Sequence, residues 1–293
     1  MSWVSFMQIF KDLFAMKKIE TNIRIADTPI EAIEFPINYK PANLWSYIPD
    51  RPDGSLNGTE FGQSILHLPA TQERDNAIIA QCAIGNIPTW MRRFKEITVT
   101  SRGNTITYFI APDALCIGND IDFLRVSLNG HSARQVVDNF GCMLPTKLMS
   151  DQIWKASDLR MYPIGMGAST HMTNTQTLID HNNIIERQRA GRSFNIIAGI
   201  KKDIIFYSPL LTYRNNICIY GWHYPNGVPI QQAQYIAHHV FYQDYSHSVR
   251  LVSRGAILNG KNIDLMDVLN NSQYSYLIND ERHSYDASHI YKL

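Results

Sequence analysis

Between residues 97 and 110 apolar and polar side chains alternate on either side of a short polar turn. Ile97 and Val99 precede "SRGN", and Ile106, Tyr108 and Ile110 follow it. A period of two is the spacing of a strand with one buried face, so the stretch predicts a β-hairpin. A second hairpin is predicted over 217–231, where "ICIY" and "VPIQ" flank Pro225, Asn226 and Gly227. Helical patterns fill much of the rest. A helical block is expected from about residue 59 to 82, opened by Thr59 as N-cap. "SARQVVDNFG" reads as a helix closed by Gly141, "KLMSDQIWKAS" as a short helix after it, and "LIDHNNIIERQRAG" as a longer one. The stretches "IIAGIKKDIIFYS", "NICIYGWHYPNGVPIQ" and "YSHSVRLVS" make the last third β-rich. The fold class is therefore α+β, with helices mostly in the first two thirds packed on an antiparallel sheet formed largely by the last third.

The N-terminus has helical spacing too. Trp3, Phe6, Met7, Phe10, Leu13 and Phe14 make a stripe too large to leave in water, so residues 3–16 predict an amphipathic helix covered by its own chain or by another copy. Residues 36–58, "PINYKPANLWSYIPDRPDGSLNG", hold four prolines and read as an extended arm. The expected organisation is an N-terminal helix and proline-rich arm over 1–58 and a single α+β domain over 59–293, with a homo-oligomer formed through the arm. Charge follows the first apolar stretch instead of preceding it, which does not fit a secretory signal. No window holds the roughly 18 uninterrupted apolar residues of a membrane span. A cytoplasmic or virion-associated protein is expected.

Composition narrows the function classes. The 293 residues are 45% apolar and 18% charged, as in a globular protein. The 27 basic and 26 acidic residues give a net charge of +1, which offers no global attraction to nucleic acid, and no nucleic-acid partner is expected. Cys82, Cys116, Cys142 and Cys218 form no CxxC pair, so neither a thiolate zinc cage nor a disulfide framework is indicated. Free thiols are the plain reading.

Candidate chemistry concentrates in "HHVFYQDYSH", residues 238–247. If residues 239–251 form one strand, His239 and His247 share a face, and Asp244, Ser246 and Arg250 fall on the other. Asp244 and His247 then meet only if a bulge or turn intervenes. Taking His223, His239, Asp244 and His247 as ligands gives a metal site, although no spacing matches HExxH or another zinc pattern. Taking Cys142 as partner gives a nucleophile relay. It follows a glycine cap and precedes the next helix, where the positive end of a helix favours thiolate. Cys218 in "NICIY" and Cys116 in "ALCIG" look like core residues, and Cys82 ends an apolar helical run. His223 sits beside Trp222 at a strand end next to the "PNG" turn. Ser169 lacks a GxSxG context, and no GK[ST] follows the nearby glycines, so no cofactor is expected.

Five motifs, "APDALCIGND", "GCMLPTKLMSDQIW", "KKDIIFYS", "IYGWHYPNGVPIQ" and "YQDYSHSVRLV", resemble in order those of a group of uncharacterised bacterial and phage-associated proteins. The resemblance spans roughly residues 85–255. Ser248 stands where that group usually has glycine. The stretch "IKKDIIFYS…NICIYGWHYPNG" also resembles the "PGDLVFF…HVGIYLGNG" pattern of NlpC-type papain-like cell-wall peptidases. That resemblance implies a thiol-dependent hydrolase of amide bonds in peptidoglycan or a peptide. Cys142 would be its nucleophile, His247 or His239 its base, and Asp244 the residue that orients the imidazole. Arg250 is expected to bind a substrate carboxylate, with His223 and Trp222 lining the substrate site. Asn216 occupies the place of that family's histidine, and its "DCSG" is not present. Two alternatives stand beside this reading: a metal-dependent hydrolase built from the same histidines, and a non-enzymatic virion or assembly protein.

Overall fold

The computed structural model describes residues 46–293. The expected N-terminal helix and the first part of the proline-rich arm, residues 36–45, lie outside the described residues. The end of that arm, from Ser46 on, packs against the body: Ile48 is buried, and the Arg51 Nε donates to Asn86 Oδ1 at 3.0 Å and to the Gly118 carbonyl at 3.1 Å.

Both predicted hairpins form. Strands β1 (Lys95–Ser101) and β2 (Asn104–Ala114) pair antiparallel around Arg102 and Gly103. Both turn residues have positive φ, 48° and 77°, the geometry whose twist matches that of the flanking strands. On the solvent face Thr98 bonds Thr107 at 2.8 Å and Thr100 bonds Thr105 at 2.9 Å, cross-strand pairs that help fix the register. The expected first helical block is two helices, α1 (Gly58–Ser64) and α2 (Gln72–Ala83). Asn57, not Thr59, is the N-cap, and it exchanges side-chain bonds with Glu60 in a capping box. Short strands β3 (Cys116–Gly118) and β4 (Phe123–Arg125) form a second small hairpin, followed by α3 (Gly130–Asn139).

After α3 the chain enters β5 (Cys142–Met143) and then α4 (Lys147–Ala156), capped by the Thr146 hydroxyl. Next come β6 (Leu159–Arg160), an irregular loop, and α5 (Thr175–Arg189). The remaining strands are β7 (Ile197–Ala198), β8 (Lys202–Ile204), β9 (Ile219–His223), β10 (Pro229–Tyr235), β11 (His247–Ser248), β12 (Arg250–Leu258) and β13 (Lys261–Asp264), before α6 (Leu265–Asn270).

The architecture is mixed α+β, but the principal sheet is not built largely from the last third. Its order is β1-β2-β12-β13, with β5 also paired to β12, so early and late strands interleave. The physical reason is burial. From Tyr108 to Ala114 every residue of β2 is buried, which requires cover on both faces and partners on both edges. A second sheet, in the order β10-β9-β8-β11, carries Trp222, His223 and His247 of the candidate residues, and its β8–β11 pair is parallel. The buried apolar residues form one continuous core. Inside it lies an ion pair: Arg125 reaches Asp113 with Nε at 3.1 and 3.0 Å and with its terminal nitrogen at 2.7 Å, and it bonds Glu186 at 2.8 Å. No helix among the described residues is long and apolar enough to cross a membrane.

Candidate functional site

The second sheet brings the "KKD" and "DYSH" motifs together. Lys202 lies opposite His247, and Asp203 opposite Ser248, across the β8–β11 pair. The Lys202 amide donates to the Ser246 carbonyl at 2.7 Å. On its other side β8 pairs with β9, setting Lys202 against Gly221 and Asp203 against Tyr220.

Residues 239–251 are not one strand. The chain turns between His239 and Ser246 and becomes extended only at His247. The turn is local chemistry: Asp244 Oδ1 accepts from the Ser246 amide at 2.7 Å and from its hydroxyl at 2.6 Å, and the His247 amide donates to the Asp244 carbonyl at 3.2 Å. This turn overrides the alternation that placed Asp244 and His247 on opposite faces. It leaves His247 Nε2 3.8 Å from Asp244 Oδ2, which also accepts from the Tyr242 hydroxyl at 3.2 Å.

His247 is fully buried, and neither ring nitrogen has a hydrogen-bond partner. Most buried polar atoms in proteins are paired, so an imidazole left open at both nitrogens asks for a reason. Burial pushes its pKa below the ordinary histidine value, with Asp244 opposing and Lys202, His238 and Lys201 adding to the shift. Burial would raise the Asp244 carboxyl, but His247, the Ser246 bonds and Lys202 outweigh it and hold the group below the usual range. The pair rests as neutral imidazole and carboxylate. Half-buried rings cover it: His238 stacks on Tyr242 at 4.0 Å, and their centroids lie 6.3 and 5.7 Å from that of His247.

Two lysines flank this pair. The buried Lys201 ammonium donates to the Tyr245 carbonyl and to His181 Nδ1, and burial brings its pKa down to about 7. His181 Nε2 then donates to the Ile164 carbonyl at 3.2 Å, tying the 161–174 loop to α5. The Lys202 ammonium has no hydrogen-bond or ion-pair partner among the described residues, and it lies 5.9 Å from the Trp222 ring centre. Trp222 has a φ of 61°, a conformation rare for a bulky side chain, and its buried Nε1 is unpaired as well.

His223 belongs to a different network. Its Nε2 bonds Asp151 Oδ1 at 2.8 Å, the Tyr220 hydroxyl donates to the same oxygen at 2.8 Å, and Lys147 approaches Oδ2 at 3.2 Å. Trp154 stacks on the His223 ring at 5.9 Å. Burial would raise the Asp151 carboxyl, but the bonds from His223 and Tyr220 and the Lys147 charge lower it overall. His239 is exposed and lies against Phe241 at 5.5 Å. Arg250 is buried, with its terminal nitrogens donating to the carbonyls of Ala111 at 3.3 Å and Ile197 at 2.9 Å.

Cys142 is not at a helix N-terminus. It lies on β5 opposite Ser253 of β12, four residues before the Thr146 cap, with Sγ donating to the Phe140 carbonyl at 3.6 Å. Burial pushes its thiol well above the ordinary value. No hydrogen bond joins it to a histidine among the described residues. Cys82, Cys116 and Cys218 are buried free thiols as well. The residues read as a metal set are dispersed over three surroundings, and no group of three or more His, Cys, Asp or Glu side chains among the described residues is placed to hold a metal ion. A cavity of ≈ 280 Å³ lined by Gln72, His131, Arg134 and Tyr291 contains none of these residues.

Sequence reasoning singled out Asp244, His247, Trp222 and His223, and missed Lys201, Lys202, His181 and Asp151. The signal for the lysines was the doubled charge of "KKD" at the head of an otherwise apolar strand. Comparison with protein-family models, with curated proteins and with solved structures finds no match to this chain.

Proposed function

We propose that the protein is a hydrolase of amide bonds in which the Asp244–His247 pair carries the acid–base chemistry and no thiol takes part. The supporting observation is the fully buried His247 imidazole with both nitrogens unpaired beside a carboxylate already fixed by Ser246. Leaving a buried polar atom unpaired costs on the order of 1–3 kcal/mol, a cost that a ring reserved for a water or substrate recovers on binding. In this reading the neutral ring takes a proton from water as the water oxygen bonds to the amide carbon. The ring then returns the proton to the departing nitrogen as the carbon–nitrogen bond breaks. Asp244 stabilises the imidazolium in between. The His238–Tyr242 stack must swing aside for substrate to reach the ring. The amide class, with peptidoglycan stem peptides foremost, rests on the sequence resemblance to NlpC-type peptidases.

The test is the release of free amine from peptidoglycan and from short peptide amides by the purified chain. The wild type is expected to release amine, and Asp244→Asn to lose roughly 10²–10⁴-fold of the rate. No release by the wild type, or equal release by Asp244→Asn, overturns the reading.

A further inference from the structure

We infer that Lys202 and His247 form a binding site for a carboxylate carrying a single negative charge. The inference deepens the proposed reading and rests on it for the idea that a substrate reaches His247. The two residues lie directly opposite on neighbouring strands, so their side chains leave the sheet on the same side. Lys202 is half-buried and its ammonium lacks an acceptor among the described residues; the nearest aromatic face is that of Trp222. A cation drawn partly out of water without a counter-charge in hydrogen-bond contact is a poor structural element and a good anion receptor. Beside it stands a buried imidazole with two open nitrogens, either of which can donate.

The local charge decides which anion fits. The groups facing His247 are Asp244 from its own segment, Lys202 from β8, Lys201 just before that strand, and His238 from the preceding loop. Lys201 is already committed to Tyr245 and His181, and burial favours the neutral form of His238. That leaves one available positive charge, on Lys202, with the negative charge of Asp244 close by. A monoanion is held by Lys202 and tolerated by Asp244. A dianion, such as phosphate near neutral pH, meets the same single cation and twice the repulsion. A planar carboxylate can accept from Lys202 through one oxygen and from the ring through the other. In a peptide substrate this group is a free C-terminus or an acidic side chain near the bond that is cut.

The experiment is calorimetric titration of the full chain with N-acetylalanine, with N-acetylalanine amide as the neutral control and inorganic phosphate as the dianion. Histidine ring NMR signals are followed in the same titrations. The acid is expected to bind and to shift the His247 resonances, and the amide and phosphate to bind more weakly. Lys202→Met should weaken the acid by about tenfold or more, the loss of one charge-assisted bond, and Lys202→Arg should recover most of it. Equal binding of acid and amide, tighter binding of phosphate, or unchanged affinity in Lys202→Met overturns the inference. The two proposals fail separately. If the acid binds but no amide bond is cut, the carboxylate site stands and the hydrolase reading falls. If amides are cut with unchanged KM in Lys202→Met, the hydrolase reading stands and the carboxylate site falls.

Discussion

The Nε2 of His247 stands 3.8 Å from Oδ2 of Asp244, too far for a hydrogen bond and near enough for an ion pair once the ring is protonated. The two groups are held in opposite senses. Burial holds the imidazole below its ordinary pKa, whereas the charge that His247 carries when protonated, the Ser246 bonds and Lys202 hold the carboxyl below its own. Such a pair can take up a proton and be stabilised on doing so, which is what a general base with a positioned counter-charge requires.

Neutral buried histidines make stability depend on pH. His181 and His247 both have folded-state pKa values below the ordinary one, in each case chiefly through burial. For His181 the shift runs from 6.5 down to about 2. As pH falls the unfolded chain binds these protons first, so stability is present in full above the unfolded value and is lost progressively below it. The urea midpoint is expected to fall between pH 7 and pH 5. His181→Gln, which keeps a donor and an acceptor without titrating, should flatten that slope. An unchanged midpoint over the interval contradicts the burial argument.

All four thiols should resist modification in the native protein. Each is buried, and burial raises the pKa of every one. Iodoacetamide is expected to label none of them at an appreciable rate before unfolding and all four after it. Cys142→Ala should cost about 1–2 kcal/mol through the small cavity left in β5, read from urea denaturation. Rapid native labelling of Cys142 alone would restore the thiol nucleophile.

The Arg125–Asp113 pair should be among the most sensitive points of the fold. Both side chains are fully buried and joined by several hydrogen bonds. Asp113→Ala leaves the guanidinium inside with only Glu186 as a charged partner. The expected loss is about 3–5 kcal/mol, measured as a shift in denaturant midpoint at constant slope. A loss under ~1 kcal/mol would mean that solvent reaches the pair.

The hairpins and several helices were legible because their signals are local: alternation over 97–110 around a turn, and helical spacing over 132–141 and 147–157. The second partner of β2 was not. It pairs with β12, with Ile106 opposite Leu258, and alternation marks a strand without naming its neighbour. At the site, Asp244 and His247 stood out by residue type, but a run of aromatic and β-branched residues reads as one continuous strand. The Asp244–Ser246 turn that breaks it rests on two side-chain bonds with no periodic signature. Cys142 looked helix-adjacent because Gly141 and Thr146 bracket it closely. The three residues between it and the cap are enough to complete a strand and a bend. Lys202 and Asp151 were hidden for another reason: a charged residue in a half-buried strand or helix reads as solvated until its neighbours are known.

The central claim is that the imidazole, and not a thiol, does the chemistry. The most direct measurement is kcat/KM on one peptide amide for the wild type, His247→Gln and Cys142→Ala, each first shown to be folded by circular dichroism. The account predicts a loss of roughly 10²–10⁴ in kcat/KM for His247→Gln, with Cys142→Ala within about threefold of the wild type. The reverse pattern, an inactive Cys142→Ala beside an active His247→Gln, would contradict it.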